Sequence, residues 1–544
     1  MLRDISVLSL NLHLLLCHSA QPNPKVTMLL FVLLSEVAGL LAAAYFIIIP
    51  LFEYFYDSKK LRQYPAPFLA GVTNLWHMQK QFTYQRWRSV DEAHKKLGPI
   101  VRLGPNELSF TDPRAIKDIY GHSSPALKAD LYEAISSTHK HVLDVIDREE
   151  HARKRKLVAN AMSMKMIEEY EHRVHEDILE LVKQWDAQCT SPPAPGVTSH
   201  PEEETIDARR WLNLLTLDMI ADLGMSTKIG FVKSGDDVVT CETVDGKTYK
   251  THIEFGIGTN QNLTSTMGLS WNMRWLTTKL LAFHPGWKTG ANMTNWSHHL
   301  TKQRLARERA GEKLHDIFDS LIWTKNRQPV PHELGEITAE VALILTAGSD
   351  TTGIAVCNIL MLLIMNPRCL DKLHEELTNV CGDSEVVPAY DELKILPYLR
   401  ACIDEALRQR PSLRQGLPRV TPPNGMEIAG HWIPGNTTVS APCWTIHHDS
   451  NLFEDPEEYR PERWLGEAGA ELQKWFFPFS TGARGCVGRN IAYMEISLTI
   501  ATIIRRYEFA FIKPNWQPTI YETLVAKQGP MPVKIWRRTN KVYC

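Results

Sequence analysis

The chain has 544 residues, 44% of them hydrophobic, and sets 60 Lys plus Arg against 62 Asp plus Glu for a formal net charge of −2. Such a composition builds a large core and excludes global disorder, and near-neutrality leaves no field for wrapping a polyanion, which argues against a nucleic-acid partner. The ten cysteines form no CxxC pair, so neither a zinc site nor a disulfide scaffold is indicated, and a reducing compartment fits.

At the amino end, Met28 to Phe52 (MLLFVLLSEVAGLLAAAYFIIIPLF) are apolar apart from Ser35 and Glu36, and about 25 residues of helix cross a hydrocarbon core. This span is expected to be a single transmembrane anchor. Lys59, Lys60 and Arg62 follow it while only Arg3 and Lys25 precede it, so the positive-inside rule places the body in the cytosol. The shorter apolar stretch Ile5 to Leu16 has the look of a signal-peptide core but is short for a span. Since Met28 opens the second run directly, translation is expected to start there, with residues 1–27 a gene-model extension. Sequons at Asn262, Asn292, Asn295 and Asn436 are expected to stay unused in a cytosolic body.

Residues 53–70 contain Pro65 and Pro67 and read as a stiff connector. Helical periodicity then dominates residues 71–544, over Ile167–Gln188, Ala208–Leu223, Glu333–Met365, Leu370–Val380, Leu399–Gln409 and Asn490–Arg506. Strand patterns are short, at Ile100–Leu103, Glu107–Phe110, Glu427–Ile433 and Thr437–Ala441, with a turn signal at Asn424-Gly425. The inserts Thr190–Glu204 and Lys233–Lys250 read as surface loops. The expected fold class is mainly α with a small β region, in one large domain.

Chemistry concentrates in Phe477–Glu495, FPFSTGARGCVGRNIAYME, where Phe479, Gly482, Arg484, Cys486 and Gly488 stand in the order F-x-x-G-x-R-x-C-x-G. Five fixed residues meet by accident in on the order of one chain in ten thousand. Cys486 precedes a helix whose positive end favours an anionic sulfur, and the glycines let backbone approach a flat cofactor and aim N–H groups at that sulfur. Phe479 would shield the sulfur from water, and Arg484 suits an acidic substituent on the cofactor rim.

On these residues the sequence resembles the cytochrome P-450 family, the haem-thiolate monooxygenases, from the anchor nearly to the carboxyl terminus. The resemblance is to membrane-anchored eukaryotic members and, with the long inserts, to fungal enzymes of secondary metabolism. It implies haem b with Cys486 as the axial iron ligand. Ala347-Gly348-Ser349-Asp350-Thr351-Thr352 lies inside an apolar helix, where burying Asp and Thr is costly unless they are hydrogen-bonded. In the family this segment crosses the haem face, the glycine opens a groove for oxygen, and Asp350 with Thr351 relays protons. Threonine back-bonding to the helix is the plainer alternative. Glu405 and Arg408, three apart on one helix, match the E-x-x-R motif, and Arg463 in Pro461-Glu462-Arg463-Trp464 is its partner, a purely structural charge triad.

His151 and Arg155, spaced i and i+4, resemble the family's propionate-binding helix, although many membrane-bound members carry Trp where His151 stands. A solvated basic face is the competing reading, given Arg153, Lys154 and Lys156. Arg419 matches the family's other propionate arginine. The resemblance implies insertion of one atom of O2 into an apolar small molecule, by hydroxylation or epoxidation, with electrons from NADPH through a separate NADPH-cytochrome P-450 reductase. The expected location is the endoplasmic reticulum membrane, single-pass. Two rivals remain: a haem-thiolate isomerase or dehydratase that does not use O2, and a non-catalytic haem-binding membrane protein.

Overall fold

The computed structural model describes residues 24–538 except 136–138, 193–204, 270–273, 325, 332, 382–385 and 514–515. The stretch Ile5–Leu16 and most of the insert Thr190–Glu204 lie outside the described residues. The chain divides into two units, Met1–Arg62 and Gln63–Cys544.

In the first unit, helix Pro24–Ala43 continues through a π-turn at Ala44–Ile48 into helix Ile49–Tyr56. The expected span Met28–Phe52 lies within this run, and its side chains include the exposed Met28, Leu33, Leu40, Ile48 and Phe52. Asp57 ends the run in the left-handed region, and its carboxylate accepts the N–H of Leu61 at 2.8 Å.

The second unit is built on helices, five of which place the site: α1 (Arg148–Ala161), α2 (Glu254–Gly268), α3 (Leu334–Met365), α4 (Pro397–Gln409) and α5 (Arg489–Arg506). Helix α1 starts where the Asp147 carboxylate accepts the Glu150 N–H at 2.8 Å, a side-chain cap on an otherwise orphan donor. Proline at its first position starts α4. Helix α3 is long and apolar enough to span a membrane, yet 78% of its most apolar window is buried within the protein, so it is the core helix. Around it close Leu212, Leu217, Ile220, Met494, Leu498 and Ile500, each at most 4% exposed.

A five-stranded sheet runs in the order Ile100–Gly104, Glu107–Phe110, Thr438–Ser440, Arg419–Val420, Leu127–Lys128. Two sequence expectations need correction here. Glu427–Ile433 is not one strand but a hairpin, Met426–Ile428 against His431–Ile433, because Ala429 and Gly430 both take positive φ, 51° and 83°, and reverse the chain. Within the second expected loop, Val238–Glu242 pairs with Thr248–His252, alternation that charged residues obscure.

The periodicity also passes over α2 and helix Gly286–Arg309, which are glycine-bearing and weakly patterned. Their glycines serve packing, since a Cβ on Gly256 would lie 3.0 Å from Cβ of Thr289.

Candidate haem-thiolate site

The loop before α5 is closed by its own backbone: the N–H of Cys486 donates to the Phe479 carbonyl at 2.9 Å. Gly482 holds a φ of +69°, and a Cβ there would lie 2.2 Å from the Tyr120 carbonyl oxygen, so no other residue fits. Phe479 packs 5.2 Å from the ring of Tyr493. Among the described residues Cys486 is the one exposed thiol, while Cys241, Cys357, Cys369, Cys381, Cys402 and Cys443 are buried. Enclosure by the loop pushes its thiol pKa up, and the backbone N–H groups of Gly488 and Arg489, with the Arg489 and Arg155 guanidiniums, pull the other way. That is a donor set aimed at an anionic sulfur.

Basic groups converge on the same loop. Arg155 donates to the Gly485 carbonyl at 2.7 Å, and Arg484 donates to the carbonyls of Val145 and Ile146 at 2.8 and 2.7 Å. Arg419 donates to the Tyr132 hydroxyl at 2.9 Å. His151 is 5% exposed, and its pKa is pushed down to about 3, by burial first and then by Arg484, Lys128, Arg155 and Arg419. The imidazole is therefore neutral. Two other cations of α1 turn elsewhere: Arg153 and Lys154 pair with Glu336 of α3. The helix thus has two basic faces with different partners.

A residue that the sequence did not single out completes the group. Lys128, buried, has its pKa pushed down to about 6 by burial and then by Arg484 and Arg419, with Asp144 opposing. It stands directly opposite Arg419 across an antiparallel strand pair, an arrangement that costs stability whenever the lysine carries its proton. No motif marks it, and its strand, Leu127–Lys128, is only two residues long.

Five basic residues gathered at a cysteine loop, with Asp144 the sole carboxylate among the strongest influences on Lys128, form a cradle for a dianion beside a thiolate. Haem b, with its two propionates, fits that donor set.

The Glu405–Arg408–Arg463 cluster is matched within the chain. Glu405 takes both arms of Arg408 at 2.9 Å, Arg463 at 3.0 Å and the Trp464 indole N–H at 2.8 Å. Arg408 donates further to the carbonyls of His447 and Pro456 at 2.8 and 2.7 Å. Glu405 and Arg408 are 0% exposed, so the network is dry and complete.

On α3, the spacing puts Leu343, Ala347 and Thr351 on one partly exposed face. Asp350 is buried, its Oδ2 2.9 Å from Lys527 Nζ. Thr351 Oγ1 donates to the Ala347 carbonyl at 2.7 Å, the helical back-bond, and the Thr351 carbonyl accepts from the Ser412 hydroxyl at 2.9 Å. Thr352 instead hydrogen-bonds Glu495 of α5, a buried acid whose pKa burial pushes up to about 8. Gly348 has a steric reason to be glycine: a Cβ there would lie 2.5 Å from Cγ1 of Ile220, so it admits the neighbouring helix Ala208–Met225.

Comparison with known proteins agrees with this chemistry. The sequence model of the cytochrome P-450 family matches residues 65–535. Benzoate 4-monooxygenase of Aspergillus niger is 33% identical over 492 residues, which cover 88% of this chain and 94% of that protein. A cytochrome P-450 monooxygenase of Fusarium pseudograminearum is 31% identical over 82% of this chain and 76% of its own length. Tryprostatin B 6-hydroxylase of Neosartorya fischeri is 29% identical over 88% and 82%. A match across most of the chain, joined to a cysteine loop and core helix of this kind, shows that the chain belongs to the cytochrome P-450 family and is a haem b monooxygenase.

Proposed function

We propose that this chain hydroxylates or epoxidises an apolar small molecule in fungal secondary metabolism, drawing electrons from NADPH through a separate reductase, while anchored in the endoplasmic reticulum membrane. When bound, haem b supplies the iron at which O2 is activated and one oxygen atom is passed to the substrate. Cys486 would supply the thiolate that holds the iron. Arg155, Arg419 and Arg484, with neutral His151 as a hydrogen-bond donor, would hold the propionates. Phe479, Gly482 and Gly488 shape the loop and keep water from the sulfur. Asp350 and Thr351 pass protons inward: the Thr351 hydroxyl leaves the Ala347 carbonyl and takes up a proton path from the neighbouring carboxyl.

The carrying observation is the cysteine loop itself, whose N–H groups and unmatched cations call for an anionic sulfur and an anionic rim together. Monooxygenase and hydroxylase names among the relatives support oxygen insertion over rearrangement, as does the presence of Asp350 and Thr351 together. The exposed apolar helix Pro24–Tyr56 supports the anchor, and burial of Asn262 and Asn292, 1% and 6% exposed, supports a body that the glycosylation machinery does not modify at those sequons.

The test is spectral. The reduced protein with carbon monoxide should show the strongly red-displaced Soret band of thiolate ligation, and Cys486→Ser should abolish that band. A wild-type protein that binds haem without it overturns the assignment.

A further inference from the structure

The acid on α3 is held by two other parts of the fold. Asp350 is 1% exposed, and its Oδ2 lies 2.9 Å from Nζ of Lys527 and 3.3 Å from Nε2 of Gln261. Lys527 comes from the hairpin Ile520–Glu522/Ala526–Gln528, Gln261 from α2. The route of the lysine is built in: a Cβ on Gly258 of α2 would lie 3.3 Å from Cδ and 3.4 Å from Nζ of Lys527. Gln261 is oriented as well, because the Thr523 hydroxyl donates to its Oε1 at 2.8 Å, which turns its amide N–H groups to the acid. Farther along the same face, Glu254 pairs with Arg209 at 3.1 Å and is 24% exposed. Burial holds the Glu254 carboxyl above its usual range, Arg209 and Lys527 pull it down, and Asp350 and Asp237 add to the rise.

Removing one partner of a buried pair leaves the other stranded. We propose that Lys527 is a positioning residue for proton delivery. With Gln261 it fixes Oδ2, which leaves Oδ1, without a partner among the described residues, as the atom that receives each proton and hands it on. The proton binds Oδ1 and leaves towards Thr351, and Oδ2 stays held by Lys527 and Gln261 throughout. This rests on the assignment of Asp350 to proton delivery made above.

Lys527→Met, Lys527→Arg and Asp350→Asn are compared in the full-length haem-loaded protein. Lys527→Met should keep the carbon monoxide band, lose about tenfold or more in NADPH-driven product formation, and stay within about twofold when hydrogen peroxide, which brings its own protons, is the oxygen donor. Lys527→Arg should restore NADPH-driven turnover. Unchanged NADPH-driven turnover in Lys527→Met, or an equal fall with peroxide, overturns the proposal. If Asp350→Asn is impaired and Lys527→Met is not, this inference alone fails; if Asp350→Asn is unimpaired, the proton-delivery reading fails with it.

Discussion

Two charged clusters near the cysteine loop differ in how their charges close. Around Glu405 every carboxylate oxygen and guanidinium arm is taken within the chain, in a place with no solvent access. Around Cys486, Lys128, His151, Arg155, Arg419 and Arg484 press on one another, and burial with Arg419 and Arg148 brings even the Arg484 guanidinium down to about 10. The first is finished architecture. The second is unbalanced until an anion arrives, and that imbalance is what marks a binding site.

The sharpest way to break the comparison is to unbalance the closed cluster. Glu405→Gln strands Arg408 and Arg463 without their shared carboxylate, and removing one member of a buried pair costs about 3–5 kcal/mol. Chemical denaturation of the haem-free protein should show that loss in full, with little folded protein left to load with haem. A loss below about 1 kcal/mol would place this triad among ordinary surface pairs.

Much of this contrast was legible in the sequence, though unevenly. The cysteine loop was readable because its glycines, arginine and cysteine sit within ten residues, and one of those glycines has no alternative at +69° against the Tyr120 carbonyl. The triad was readable because two members share a helix turn and the third stands in a Pro-Glu-Arg-Trp segment. Lys128 and Lys527 were not, because each acts through a strand pairing or a hairpin far along the chain, and neither carries a local pattern. Gly348 shows the reverse: the residue was singled out, but its contact with Ile220 depends on a helix more than a hundred residues earlier. The partners of Thr351 and Thr352 likewise separate only in three dimensions, one bonding its own helix and the other Glu495 of α5.

A milder perturbation of the open cluster should have the opposite sign on the two forms of the protein. Arg419→Met removes a cation that faces Lys128 across the strand pair, so the haem-free protein should change by less than about 1 kcal/mol or gain stability. Haem affinity should fall about 10- to 100-fold, the worth of one charge-assisted hydrogen bond to a buried anion. Haem transfer to an acceptor protein measures the second and denaturation of the haem-free form the first. A parallel loss in both would mean that Arg419 is architecture like Arg408.

The most specific effect comes from Lys128. In the haem-free fold its pKa is pushed down to about 6, whereas an unfolded chain holds a lysine near about 10.4. Between those values the unfolded state carries the proton and the folded state does not. Folded stability must therefore rise with pH through that window and fall as the pH is lowered towards 6, by at most about 1.4 kcal/mol per unit from this group. Binding a dianion among the same cations restores the lysine's charge, so haem loading near pH 7 should take up a proton. Calorimetry of haem binding in buffers of different ionisation enthalpy reads that uptake directly, and Lys128→Met should remove both it and the slope. If the uptake persists in the variant, the proton goes to another group, and Lys128 belongs with the closed cluster rather than the open one.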